Sequence, residues 1–164
     1  MSTTNQTPTE WTIEEFLRRQ AGPIGVSGWL TVSRPQLAEF ARASRLTADA
    51  VDLSVSLNNR WGSDLVDGFL LVSLLVHFEW ATVRLRDEGA WALNYGLDRV
   101  RFIAPVFVGE RIRDHIQLLD ATPRNPGQVL VRTRHEIEIE GKSRPALSAD
   151  WLSLYLTGDL EAVR

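Results

Sequence analysis

No cysteine occurs in the chain. Disulfides, thiolate metal sites and a cysteine nucleophile are thereby excluded. Histidine is sparse, and His77, His115 and His135 show no metal-ligand spacing of the HExxH kind. There is no charge excess of either sign beyond a net −3, with acids and bases interspersed. The basic footprint of a nucleic-acid binder is absent. Long apolar runs are missing too. The longest, Phe69 to Phe78, contains Ser73 and His77 and is too short to span a bilayer. The opening "MSTTNQTPTEWTIEEF" is polar and has no apolar signal core. These absences predict a cytoplasmic protein with no nucleic-acid partner and no membrane partner.

What is present suits one domain. A chain of 164 residues, 44% hydrophobic and 24% charged, is long enough to bury a core. We expect residues 1–9 to form a disordered tail and residues 10–164 a single domain. Thr12 reads as an N-cap with Glu15 completing a capping box. The helix behind it turns Ile13, Phe16 and Leu17 inward. "AGPIGVSGWLTVS" is rich in turn residues and then strand-like. Ser33 begins a second helix, with Pro35 in the first turn where a missing N–H is harmless. Leu37, Phe40 and Ala41 follow helical spacing in it. Residues 45–64 are irregular, and read as a long, partly helical loop of the kind that carries function.

Residues 65 to about 86 predict a long helix. Its first half is apolar nearly all round, the mark of burial on most sides. Its second half gains Glu79, Arg84 and Arg86 and should emerge into solvent. Four strand-like runs follow. "RIRDHIQLLDAT" puts Ile112, Ile116 and Leu118 on one face. "QVLVRTRHEIEIE" puts Val129, Val131, Ile137 and Ile139 on one face, and Arg132, Arg134, Glu136 and Glu138 on the other. "RNPGQ" and "EGKSRP" mark turns between consecutive strands, so the sheet should be antiparallel. The fold class is α+β, a sheet wrapped around one helix.

With that plan, "GVSGWLTVS", "DGFLLVSLL", "NYGLDRVRFIAPVFVGERIR" and "PALSADWLSLYL" become specific. Together they resemble the MaoC-like dehydratase family, in its nodulation-protein-N-like branch, over roughly residues 20–157. The resemblance implies a hot-dog fold and a homodimer whose sheets join edge to edge. It implies addition or removal of water across the double bond of an enoyl thioester, usually on coenzyme A, without metal or redox cofactor. In such enzymes an aspartate, with a histidine five residues on, activates the water. A backbone N–H at the start of the central helix polarises the thioester carbonyl. The chemistry needs these parts: a base for water, an acid for the α-carbon, and fixed donors for the developing enolate. A helix N-terminus supplies free N–H groups and a positive dipole end.

The sequence departs from this pattern at the catalytic positions. The family's alanine-threonine-glycine-aspartate stretch corresponds to Ala43-Ser44-Arg45-Leu46, so Leu46 stands at the aspartate position. Val51 stands at the histidine position, and Asp67 where a histidine usually precedes the helix-start glycine, here Gly68. Leucine and valine transfer no protons, and no histidine lies between Met1 and Val76. Ordinary enoyl-CoA hydratase activity is therefore not expected.

The candidate catalytic residues are Asp67, Asp49 and His77. Asp67 is equally a good N-cap; as an anion it would repel an enolate and would suit a hydroxyl, an amine or a cation. Gly68 either offers its N–H to an oxyanion or permits close helix packing. His77, inside the helix, is expected to be buried and hydrogen-bonded, with catalysis as the lesser role. His115 and His135 are expected at the surface or sheet edge. Asn94 and Tyr95, of "NYG", are candidates for binding substrate or supporting the loop. Arg101 either pairs with an acid such as Asp67 or lies on the surface. Trp61, Trp80 and Trp91 read as core or interface aromatics, and as a group fit an aromatic-lined pocket for a bulky apolar ligand.

Three functions compete. The first is an enzyme of altered chemistry that dehydrates, isomerises or cyclises a large acyl or polyketide-like substrate. The arginine bias of the chain, in which Lys142 is the single lysine, is that of a GC-rich bacterial genome and fits natural-product biosynthesis. The second is a non-catalytic hot-dog subunit or ligand-binding protein. The third is a hydratase with a relocated pair, Asp49 or Asp52 with His77.

Overall fold

The computed structural model describes residues 7–46 and 62–157. Asp49, Val51, Asp52 and Trp61, and most of the irregular loop, lie outside the described residues. So do residues 1–6 of the expected tail. Its last residue, Thr9, is already in a strand: β1 (Thr9–Trp11) pairs in parallel with β4 (Val83–Leu85).

Between these come α1 (Ile13–Arg18), β2 (Gly22–Val26), β3 (Leu30–Thr31), α2 (Arg34–Ala43) and a 3-10 turn at Gly62–Asp64. The central helix α3 (Gly68–Thr82) leads through β4 into β5 (Trp91–Phe102), β6 (Arg111–Pro123), β7 (Gln128–Ile139) and β8 (Leu147–Leu156). Helix α1 starts where the sequence indicated. Thr12 Oγ1 accepts from Glu15 N at 3.1 Å, and Glu15 Oε2 accepts from Thr12 N at 2.6 Å. Ile13 and Phe16 are buried, but Leu17 is exposed, because only one face of this short helix meets the sheet.

The main sheet has the order β2-β6-β7-β8-β5, with β3 also paired to β6, and all of its pairings are antiparallel. Its concave face holds α3. Leu71, Leu75 and Phe78 of the helix share a core with Ile112, Ile137, Ile139, Leu147, Ala149 and Trp151 of the sheet. Removing side chains of this size from water contributes about 1.5–3 kcal/mol each. This is the α+β hot-dog plan.

Two expectations about α3 are corrected. The helix is shorter than residues 65–86, because Val83 is already extended (φ −137°, ψ 140°) and pairs with β1. Nor is its apolar half covered on most sides: Phe69 is 67% exposed and Val76 is exposed as well. One flank of the helix packs on the sheet, while the opposite, open flank exposes Phe69, Val76, His77 and Trp80. No helix among the described residues is long and apolar enough to cross a membrane.

Candidate functional site

The segment leading into α3 is anchored to the loop before β6. Val66 N donates to Val106 O at 2.8 Å, and Val108 N donates to Asp64 O at 2.9 Å. This fixes Asp67 as N-cap in an extended conformation, and its Oδ1 accepts from Phe69 N at 2.7 Å. Asp67 is therefore a true cap. The N–H of Gly68, at the first helical position, has no intrahelical acceptor. Gly68 also has a packing role. A Cβ there would stand 2.7 Å from the Phe102 ring, so the end of β5 lies directly against the helix start.

From that contact α3 and β5 run alongside each other and enclose an open cleft of about 340 Å³. Val72, Ser73, Leu75 and Val76 line it from the helix, Asn94, Gly96 and Leu97 from β5, and Trp151 from β8. Among the described residues the lining is apolar apart from Ser73 and Asn94. Ser73 Oγ donates to Phe69 O at 2.9 Å, one turn back. Among the described residues, Asn94 is the one predicted site residue that lines the cleft. Asp67 and Gly68 lie one helical turn before Val72.

The remaining predicted residues fall elsewhere. His77 is exposed, not buried; it faces the open flank of α3, and its ring lies 5.6 Å from that of its neighbour Phe78. Trp80 shares this flank and is 67% exposed, and Trp91 is half-buried at the start of β5. Neither lines the cleft, so its aromatic wall is Trp151 instead. Tyr95 accepts a hydrogen bond on its hydroxyl from Arg124 at 3.0 Å. Arg101 donates to Val100 O at 2.8 Å, and no ion pair joins it to Asp67 among the described residues.

Behind Trp151 lies a polar cluster that sequence reading missed. His135, expected at the surface or sheet edge, is 0% exposed, as is Asp114. His135 Nδ1 is 2.6 Å from Asp114 Oδ2, and its Nε2 is 2.9 Å from Thr133 Oγ1 and 3.3 Å from Glu79 Oε2. Burial alone would pull the imidazole pKa down. The hydrogen bonds and charges of Asp114 and Glu79 outweigh it and lift the pKa to about 9. Burial moves Asp114 upward, against the pull of His135. His115, by contrast, is half-exposed on the outer face of β6, 2.6 Å from Glu138 Oε2.

Strand parity was the signal for the buried cluster. His135 alternates in step with Val131 and Ile137, and Asp114 with Ile112 and Ile116. Glu79 follows Leu71 and Leu75 at helical spacing.

No family model matches the chain. It is 31% identical over 150 residues to nodulation protein N of Rhizobium leguminosarum bv. viciae, covering 88% of this chain and 91% of that protein. It is 30% identical over 137 residues to 3-hydroxyacyl-thioester dehydratase Z of Mycobacterium tuberculosis (strain ATCC 25618 / H37Rv), covering 81% and 88%. Among solved structures, a MaoC-like dehydratase from Rhodospirillum rubrum superposes with a TM-score of 0.66 at 12% identity, over 92% of this chain and 99% of that one.

Proposed function

Since the chain belongs to the MaoC-like family of hot-dog proteins, we propose that it is a lyase-type enzyme acting on a bulky, largely apolar acyl or polyketide-like thioester. The observation that carries this reading is the cleft between α3 and β5, apolar but for Ser73 and Asn94, and opening one turn from a helix N-terminus. An acyl chain fits such a lining, and its carbonyl end would reach the helix start. Relatives named as dehydratases act on 3-hydroxyacyl thioesters, and dehydration is the reaction we assign first, ahead of isomerisation or cyclisation. The arginine-rich composition suits a role in bacterial secondary metabolism.

In this reading Asp67 is the base. Its carboxylate takes a proton from the α-carbon, and the electron pair of that C–H bond moves onto the thioester oxygen. The Gly68 N–H holds the resulting enolate. The enolate re-forms its carbonyl as the bond to the β-hydroxyl breaks, and the hydroxyl leaves as water with the proton returned by Asp67. The water-activating pair of typical members is replaced in this chain, with Leu46 at the aspartate position, so hydration of small enoyl thioesters such as crotonyl-CoA should be negligible. A second copy of the chain seated along β5 would close the open side of the cleft.

One observation favours a second reading, a ligand-binding subunit without catalysis: among the described residues, none of the side chains lining the cleft is an acid or a base. The two separate cleanly. The purified protein is incubated with 3-hydroxyacyl-CoA thioesters of increasing chain length and the products are weighed by mass spectrometry. Loss of one water from the longer thioesters supports the enzyme. Binding of these thioesters with no change of mass supports the subunit, and rapid hydration of crotonyl-CoA would overturn both.

A further inference from the structure

The cluster behind Trp151 has a geometry that a merely satisfied core histidine does not need. Each ring nitrogen of His135 faces an acceptor. Nδ1 meets Asp114 Oδ2 on β6, and Nε2 meets the Thr133 hydroxyl and Glu79 Oε2 on α3. A neutral imidazole donates from only one nitrogen, so two acidic acceptors call for the doubly protonated ring. Thr133 Oγ1 in turn donates to Glu79 Oε2 at 3.4 Å. The ring of His135 also lies against the Trp151 ring, with centroids 5.6 Å apart, and Trp151 lines the cleft. Glu79 stands one helical turn beyond Leu75, which lines it from the other side.

We propose that Glu79, His135 and Asp114 form a proton-holding post that ties the central helix to the sheet and positions Trp151 and Leu75 as walls of the cleft. His135 is a positioning residue in this arrangement and touches no substrate. The proposal rests on the cleft being the substrate site, but its physical core does not. With the proton in place, one cation is shared by two buried carboxylates. Without it, two carboxylates face a neutral ring in a space closed to water, and the helix-to-sheet tie is lost.

The other ionisable groups around the post push in known directions. Tyr155 of β8 resists ionisation because of its burial and the Glu79 charge, so it adds no third anion. His115 lies on the opposite face of β6 and tends to lower Asp114 only as a distant cation. Asp114 Oδ1 has no hydrogen-bond partner among the described residues, which leaves the imidazolium as the group that offsets the buried charge of Asp114.

The test needs one histidine and one tryptophan signal. His77 and His115 reach the surface, so an H77Q/H115Q variant labelled with 15N-histidine isolates His135. Trp151 is followed by 19F NMR after 5-fluorotryptophan incorporation, its signal assigned with W151F. The expected result is a doubly protonated His135 at pH 7 that titrates near 9, with the Trp151 fluorine shift moving at the same midpoint. In H135Q that step in the Trp151 signal should vanish. A neutral His135 at pH 7, or a Trp151 signal with no step where His135 titrates, would overturn the proposal. Binding of decanoyl-CoA at pH 7 is measured separately. Its absence would count against the cleft as substrate site without touching either NMR result, so the two failures are distinguishable.

Discussion

His135 Nδ1 lies 2.6 Å from Asp114 Oδ2, and neither side chain is exposed to solvent. A buried pair of this kind is costly to break from one side, because the surviving charge stays desolvated. Asp114→Asn should lower stability by about 3 kcal/mol and move the His135 titration downward. The wild-type pH dependence follows from the direction of the shift. His135 titrates at about 9 when folded and near 6.5 when unfolded, so the unfolded chain loses its proton first. The stabilisation is complete below pH 6.5 and is lost as pH rises through 9. Asp114 does not add to it in this window, because its burial is a penalty at neutral and alkaline pH alike. Thermal melts between pH 6 and 10 should show a falling midpoint, and a flat profile would contradict the charged post.

The Asp67 carboxylate separates its two roles by substitution. Asp67→Asn retains an oxygen acceptor for Phe69 N–H and should leave stability within about 0.5 kcal/mol of wild type. Asp67→Ala removes the cap and should cost about 1 kcal/mol. If Asp67 is the base, both variants lose turnover of the 3-hydroxyacyl thioester by at least about 100-fold. Equal turnover in wild type and Asp67→Asn would confine Asp67 to capping.

How far the sequence spoke for this molecule depended on periodicity. The alternation of Val129, Val131, Ile137 and Ile139 against Arg132, Arg134, Glu136 and Glu138 was readable and correct, as was the Thr12 capping box. The same alternation places His135 inside, yet residue type argued for the surface, and parity won. His77 failed in the opposite direction. Its surroundings in sequence are apolar, but the flank it occupies meets no other element among the described residues. Asn94 was a candidate on its motif alone and does line the cleft, whereas the aromatic wall among the described residues came from Trp151, remote in sequence from Trp80 and Trp91. A strand's inward residues are written in its own pattern. What stands across a cleft is set by register between distant segments, such as Leu97 beside Trp151, and no local pattern encodes that.

Gly68→Ala distinguishes the N–H from the missing side chain. The new methyl would meet the Phe102 ring at 2.7 Å, but that ring is half-exposed and can turn outward. Alanine also favours the helix over glycine by up to about 1 kcal/mol. Stability should therefore change by less than about 1 kcal/mol, with the N–H intact and Phe102 displaced. Turnover should fall only modestly, and should recover in Gly68→Ala/Phe102→Leu, whose side chain leaves room for the methyl. A melting temperature lowered by more than ten degrees, roughly 3 kcal/mol in a domain of this size, would show that the ring cannot move.

The last prediction concerns β5. Among the described residues it is a long edge strand hydrogen-bonded only to β8, and it exposes Leu93, Tyr95, Leu97 and Phe102. Beside it, the open flank of α3 exposes Phe69, Val76 and Trp80. An uncovered edge with apolar neighbours invites another strand. A second copy aligned along β5 would satisfy the edge and cover both sets of side chains in a self-complementary contact. The protein in solution should then have twice the chain mass of 18.5 kDa. Leu93→Asp places a charge in that contact without touching the cleft, and should shift the species to the monomer mass by light scattering at micromolar concentration. Leu17→Asp, at an exposed position of α1 outside the β5 edge, is the control and should leave the dimer intact. A Leu93→Asp protein that keeps the dimer mass would move the interface away from this edge, and with it the closure of the cleft by a second copy.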